Sequence, residues 1–169
     1  MQTIFYPPAR RVRSLIRMTM VALLAAGLAA PAATQGVKKD GLTIDRPWAR
    51  ETARGQSAGG GFLTITNTAR ADERLIGGST PVATRVELHS MSMEGGVMRM
   101  RPLKQGVPIP AGSSVALKPG GLHIMFIGLK RPLTRGETIP VTLDFARTGK
   151  VQVSFSVEAV TYGGSHGGH

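Results

Sequence analysis

Short apolar segments separated by turn residues constrain the fold of this chain more than any other feature. From Leu42 onward, segments of strand length recur between positions rich in glycine, proline and asparagine, and no helical period persists beyond a turn or two. Nine such segments occur, at 42–49, 61–67, 74–79, 85–93, 98–101, 114–117, 122–127, 139–145 and 151–157. The 22 glycines and 11 prolines also favour turns over helices. The sequence therefore predicts an all-β domain, a Greek-key β-sandwich or barrel of about nine strands.

The N-terminal region has the three parts of a secretory signal peptide. Four arginines lie between positions 10 and 17, an apolar run follows over 18–30, and small residues come next. Because a bilayer span takes roughly 20 apolar residues, we expect no stable membrane insertion after cleavage, and a periplasmic location. The expected organisation is a signal peptide at 1–33, a linker at 34–41, a β domain at 42–160 and a flexible Gly/His tail at 161–169.

Charge and cysteine content exclude several classes of protein. The formal charge is +11, but removal of the first 33 residues takes away four arginines and leaves +7, spread along the chain. Few aromatic residues accompany these charges, so we expect no nucleic-acid binding. The chain contains no cysteine. This excludes a disulfide framework, a cysteine zinc site, a cysteine nucleophile, a blue-copper thiolate centre and a lipid anchor on cysteine.

Histidine and methionine are concentrated in one part of the predicted domain. Side chains two residues apart in a strand share a face, so a strand through His89 directs several of these side chains to one side. If Gly95-Gly96 is the centre of a hairpin, the methionines of its two strands oppose each other in pairs. The group lying within 89–125 is His89, Met91, Met93, Met98, Met100, His123 and Met125.

Two imidazoles beside several thioethers form a soft, neutral set of metal ligands. Thioethers select Cu(I), whereas zinc prefers imidazole, thiolate and carboxylate. Thioethers also need no deprotonation and cannot form disulfides, which suits an oxidising exported compartment. The alternative is that the methionines fill the core, as methionine in strands usually does. The two His-x-Met pairs, His89-Ser-Met91 and His123-Ile-Met125, favour a metal site over core packing.

The same segments resemble the periplasmic copper chaperone family called PCuAC. The family motif is a histidine, ten residues, a methionine, about 21 residues and then His-x-Met. In this chain ten residues separate His89 from Met100, and 22 residues separate Met100 from the His123-Ile-Met125 pair. The similarity extends to Trp48-Ala-Arg50 and to 60–67, 129–133 and 136–145, so it covers roughly residues 42–157.

This resemblance implies a cupredoxin-like barrel with an exposed Cu(I) site formed by His89, Met100, His123 and Met125. It also implies delivery of Cu(I) to cytochrome c oxidase subunit II, or exchange with another copper chaperone. The remaining methionines, Met91, Met93 and Met98, are expected to support the site or to dock a partner. The alternatives are copper buffering or resistance without a dedicated recipient, and a β module that docks protein through its methionines.

Two further expectations concern the tail and catalysis. His166 and His169 form either a Cu(II) site or part of a solvated extension without a role. No Ser-His-Asp arrangement is evident and the carboxylates are dispersed, so we expect no enzymatic activity. We expect a monomer.

Overall fold

The computed structural model describes residues 36–163 and the dipeptide at 2–3. The predicted signal peptide, apart from that dipeptide, and the tail residues 164–169 lie outside the described residues. Residues 36–163 form strands and turns, and no helix among the described residues is long and apolar enough to cross a membrane. The strands are β1 (Val37–Lys39), β2 (Leu42–Arg50), β3 (Ala58–Asn67), β4 (Glu73–Ser79), β5 (Ala83–Glu94), β6 (Val97–Pro102), β7 (Val107–Ile109), β8 (Ser114–Leu117), β9 (His123–Leu129), β10 (Thr138–Phe145) and β11 (Gly149–Glu158).

Seven of these strands close into a barrel. The ring runs β2-β11-β10-β4-β5-β9-β3 and returns to β2, because β3 pairs with both β9 and β2. The contact between β11 and β2 is parallel, and the other contacts of the ring are antiparallel. The connections from β3 to β4 and from β9 to β10 join strands that are not neighbours, so hairpins alternate with crossovers. The all-β, cupredoxin-like barrel is therefore confirmed.

Four strands lie outside the ring, and two of them were not among the nine expected. These two are β1, which pairs with β2 within the segment expected to be a linker, and β7, which pairs with β4. Both have only three residues, so alternation of polar and apolar side chains carries almost no signal over their length. The other two are β6, which extends β5 into a hairpin, and β8, which pairs with β3.

The core follows from strict alternation along the barrel strands. In β11, for example, Val151, Val153, Phe155 and Val157 are buried while the residues between them are half-buried or exposed. Pro47 interrupts this regularity in β2, where Arg46 takes a positive φ of 46° and the register with β3 shifts between Asp45 and Trp48. A proline lacks the N–H that a ladder needs, which accounts for the irregular pairing at this point of β2.

One buried carboxylate connects the start of β4 to the β10–β11 turn. Glu73 is 7% exposed and accepts backbone N–H groups from Arg74, Arg147 and Thr148 at 2.8–3.0 Å. Burial acts to raise the pKa of Glu73, but these three donors outweigh it and leave the pKa below its ordinary value. The carboxylate is therefore ionised at neutral pH and stabilises the start of β4 against the β10–β11 turn.

Candidate metal centre

The β5–β6 hairpin places its methionines in opposed pairs. Met91 pairs with Met100 and Met93 with Met98, across a turn in which Gly95 and Gly96 have φ values of 58° and 80°. Two consecutive positive φ values suit a two-residue hairpin turn, and glycine adopts them without steric cost. The hairpin centre and register predicted from the sequence are confirmed.

Two histidines face each other across neighbouring strands at the base of this hairpin. His89 in β5 pairs directly with His123 in β9, and the centroids of the two rings are 5.9 Å apart. An imidazole nitrogen lies about 2.0–2.1 Å from a bound first-row metal, so two rings that share an ion have centroids at most about 6.4 Å apart. The observed separation is within this limit. The spacing of the two rings is therefore compatible with one ion between them.

Hydrogen bonds orient both imidazoles. His89 Nε2 donates to Glu87 Oε2 at 2.9 Å, and Arg85 holds the other oxygen of that carboxylate at 3.2 Å. His123 Nδ1 donates to the carbonyl oxygen of Gly121 at 2.9 Å. Because a carboxylate and a carbonyl can only accept, each neutral ring keeps its lone pair on the other nitrogen, which is Nδ1 in His89 and Nε2 in His123.

The lone pair of His89 has no partner in the part of the chain that the structure describes. Its Nδ1 atom is buried and makes no hydrogen bond among the described residues. A buried acceptor without a partner is costly unless a ligand satisfies it. Its neighbour Glu87 has a lowered pKa, because the hydrogen bond from His89 and the nearby Arg85 favour its ionised form. A carboxylate–histidine pair of this kind commonly holds a metal ligand in place.

A largely apolar cavity of about 380 Å³ opens beside the histidines. Its walls include His123, Met125, Phe62 and Gly60, together with Met91 and Met98 from the hairpin. In the sheet, Met125 pairs with Gly60 on one side and with Glu87 on the other, so its side chain lies on the same face as the histidine pair. The cavity thus brings one imidazole and three thioethers to a common space.

The other predicted site residues lie further out. Met100 pairs with Met91 but is 47% exposed and lies outside the cavity lining, and Met93 is 66% exposed at the hairpin end. His166 and His169 lie outside the described residues. Among the described residues, no three His, Cys, Asp or Glu side chains are grouped to hold a metal. Beside the histidines, the cavity lining offers the thioethers of Met91, Met98 and Met125 as soft donors.

Sequence reasoning did not identify three contributors to this region. The orienting partners of the histidines, Glu87 and Gly121, and the cavity-lining Arg50 were not assigned roles. A signal existed for Glu87, which lies two residues before His89 and so shares its face in a regular strand. A signal also existed for Arg50 in the Trp48-Ala-Arg50 segment, but its position depends on contacts with β3 that are distant in sequence.

The geometry places the chain in the class of cupredoxin-like barrels with a histidine pair at one end. A family model described as "Putative lipoprotein LpqE-like" matches residues 42–157. The chain belongs to this family, which is the PCuAC family. Among curated proteins, "Putative lipoprotein Lxx21020" from Leifsonia xyli subsp. xyli is 36% identical over 139 residues, covering 78% of this chain and 82% of the relative. The lipid attachment in that name is not carried over, since this chain contains no cysteine.

Solved structures show the same fold. The copper-bound PCuAC domain from PmoF2 matches with a TM-score of 0.64 and 23% identity, covering 74% of this chain and 98% of that domain. The solution structure of CuI-DR1885 from Deinococcus radiodurans matches with a TM-score of 0.56 and 28% identity, covering 77% of this chain and 85% of that protein. The predicted family is therefore confirmed.

Proposed function

We propose that this protein is an exported Cu(I) chaperone that binds one ion through His89, Met100, His123 and Met125. The observation that carries the proposal is the facing pair of oriented imidazoles, with a buried His89 Nδ1 that lacks a partner. Methionine side chains lie beside this pair on the hairpin and on β9. The Cu(I)-bound relative DR1885, at 28% identity, gives independent support for the metal.

Neutral ligands at the edge of the barrel suit transfer of the ion. Thioethers and neutral imidazoles bind without losing protons, so the ion can be exchanged without proton release. Met98 and Met100 are each about half exposed, which lets ligands of a recipient enter one at a time. The recipient in this proposal is cytochrome c oxidase subunit II or another copper chaperone, and the protein acts as a periplasmic monomer without enzymatic activity.

An anaerobic Cu(I) competition titration tests the site. The mature domain is compared with a Met100→Leu/Met125→Leu double variant, with the single variants Met100→Leu and Met98→Leu, and with Met93→Leu as the matched control. Leucine conserves volume, so folding is expected to be retained. We expect 1:1 binding that collapses in the double variant and persists in the Met93 control.

The single variants distinguish Met100 from Met98 as the thioether ligand supplied by the hairpin. The family motif points to Met100, whereas Met98 lines the cavity with Met125. A large loss of Cu(I) affinity in Met100→Leu with a small loss in Met98→Leu supports Met100 as the ligand. A large loss in Met98→Leu with a small loss in Met100→Leu assigns the ligand to Met98 instead. Equal binding by wild type and the Met100→Leu/Met125→Leu variant contradicts a thioether site altogether.

A transfer experiment distinguishes delivery from buffering. The Cu(I)-loaded protein is mixed anaerobically with the apo copper domain of subunit II, the two proteins are separated at successive times, and the copper content of each is measured. Transfer faster than spontaneous release from the loaded protein supports delivery. Transfer limited by spontaneous release supports copper buffering or resistance without a dedicated recipient.

A further inference from the structure

Arg50 stands out among the residues that line the cavity. It lies at the end of β2, and its Cζ is 5.7 Å from the centroid of the Phe62 ring. Its Nε atom is buried without a hydrogen-bond partner, and Arg50 forms no ion pair with the described residues. Of the described residues lining the cavity, it alone carries a permanent charge.

The packing around Phe62 keeps this cation beside the histidine–methionine cavity. Trp48 and Arg50 share a face of β2 because they are two residues apart. The Trp48 ring lies 4.4 Å from Phe62, between centroids, while the Arg50 guanidinium lies over Phe62 at cation–π distance. A Cβ at Gly60 would lie 3.1 Å from Phe62 Cζ, so glycine leaves room for the ring. The Trp-Ala-Arg segment therefore determines the position of a charge, in addition to packing.

The charges near the proposed ligands favour a monovalent ion. Imidazole and thioether ligands add no charge of their own, Glu87 and Arg85 form an ion pair, and Arg50 has no ion-pair partner among the described residues. The repulsion between Arg50 and a bound ion is proportional to the charge of the ion. A divalent ion is therefore repelled twice as strongly as Cu(I). An apolar surrounding strengthens this difference because the effective dielectric constant is lower there.

We propose that Arg50 determines the specificity of the site by disfavouring divalent ions, Cu(II) and Zn(II), relative to Cu(I). This inference rests on the proposed function, because it assumes that Cu(I) is bound by His123 and Met125, the two proposed ligands that line the cavity together with Arg50. It assigns a role to a residue that contributes no ligand atom.

The test compares affinities for Cu(I) and Cu(II) in Arg50→Gln, Arg50→Lys and wild type, with Arg70→Gln as control. Arg70 is exposed and follows the far end of β3, ten residues beyond Gly60, so its substitution removes the same charge away from the cavity. We expect Arg50→Gln to bind Cu(II) at least tenfold more tightly relative to Cu(I). For this one-electron couple, that ratio lowers the reduction potential by about 59 mV. Zn(II) binding is expected to change in the same direction as Cu(II) binding.

Two controls keep the result interpretable. Arg50→Lys retains the charge and is expected to keep the wild-type ratio, as is Arg70→Gln. Fluorescence of Trp48, the only tryptophan, reports whether the Trp48–Phe62 packing survives. If Arg50→Gln does not fold, Arg50→Leu removes the same charge, keeps an apolar side chain over Phe62 and adds no metal-binding atom, and the same ratio is measured.

The outcomes are distinguishable. An unchanged Cu(II)/Cu(I) ratio in a folded charge-removing variant overturns the inference, and so does an Arg50→Lys variant that behaves like Arg50→Gln. Failure of the proposed function is a different result, in which wild type and every variant fail to bind Cu(I).

Discussion

Replacement of Glu73 by glutamine probes the buried carboxylate that joins β4 to the β10–β11 turn. In wild type, Oε1 accepts the N–H groups of Arg74 and Arg147, and Oε2 accepts that of Thr148. A glutamine carbonyl can replace Oε1 and keep two bonds. The glutamine NH₂ group then faces the N–H of Thr148, so one bond is lost and a buried donor is left without a partner.

The expected cost follows from these three bonds. A hydrogen bond to a charged group contributes about 1.5–3 kcal/mol, and a neutral one about 1 kcal/mol. Loss of one charged bond removes about 1.5–3 kcal/mol, and weakening of the other two removes about 0.5–2 kcal/mol each. Burying a neutral amide costs less than burying a carboxylate and offsets part of this sum, so we expect the free energy of unfolding to decrease by about 2–4 kcal/mol. As a control, Glu137→Gln alters a surface pair with Arg131 and should cost less than about 1 kcal/mol.

The pH dependence provides a second, independent check. The folded-state pKa of Glu73 is lowered, so its carboxylate stabilises the fold fully above the ordinary glutamate pKa of about 4.3. This stabilisation is lost as the pH falls through the folded-state pKa. Urea denaturation at pH 7 and at stepwise lower pH should show the difference between wild type and Glu73→Gln shrinking in acid. A difference that is below about 0.5 kcal/mol at pH 7, or that does not change with pH, refutes the reasoning.

Three further predictions concern the metal site, the core and a turn. Glu87→Gln should weaken Cu(I) binding by roughly 10–100-fold, measured by anaerobic competition, because the amide can present its NH₂ group to His89 Nε2; unchanged affinity contradicts an orienting role. Phe126→Ala should lower the free energy of unfolding by about 3–5 kcal/mol in urea, since this side chain is fully buried; a cost below half of that would show that the core collapses around the site. Gly106→Ala should cost more than about 2 kcal/mol, because Gly106 has a φ of 77° and an added Cβ would overlap the Leu75 carbonyl oxygen; wild-type thermal stability would contradict this.

Local pattern predicted the strands and the hairpin but not how the barrel closes. The turn at Gly95-Gly96 could be predicted because two adjacent glycines define a hairpin centre, and the Met91–Met100 pairing then follows from register alone. The pairing of β3 with both β2 and β9 could not be predicted, because the alternation of side chains in one strand does not identify the strands beside it. A strand of three residues such as β7 lies below the length at which alternation is visible.

The sequence likewise predicted some parts of the candidate site and not others. His89 could be placed on one face with Met91, and His123 on one face with Met125, because strand spacing determines side-chain direction. The cavity wall could not be anticipated, since Arg50 reaches it only through its packing on Phe62 from another strand. The exposure of Met100 also depends on how the hairpin twists, which spacing does not determine.

The parallel contact between β2 and β11 has a consequence for how the chain folds. It joins Trp48, in the first long strand, to Ser156, in the last one, so the ring cannot close until nearly the entire domain is available. A topology dominated by such distant pairings is expected to fold slowly, because loop-closure entropy is lost before the contacts form. A chain that lacks its last strand therefore leaves β2 without this neighbour, and closure of the ring has to wait for β11.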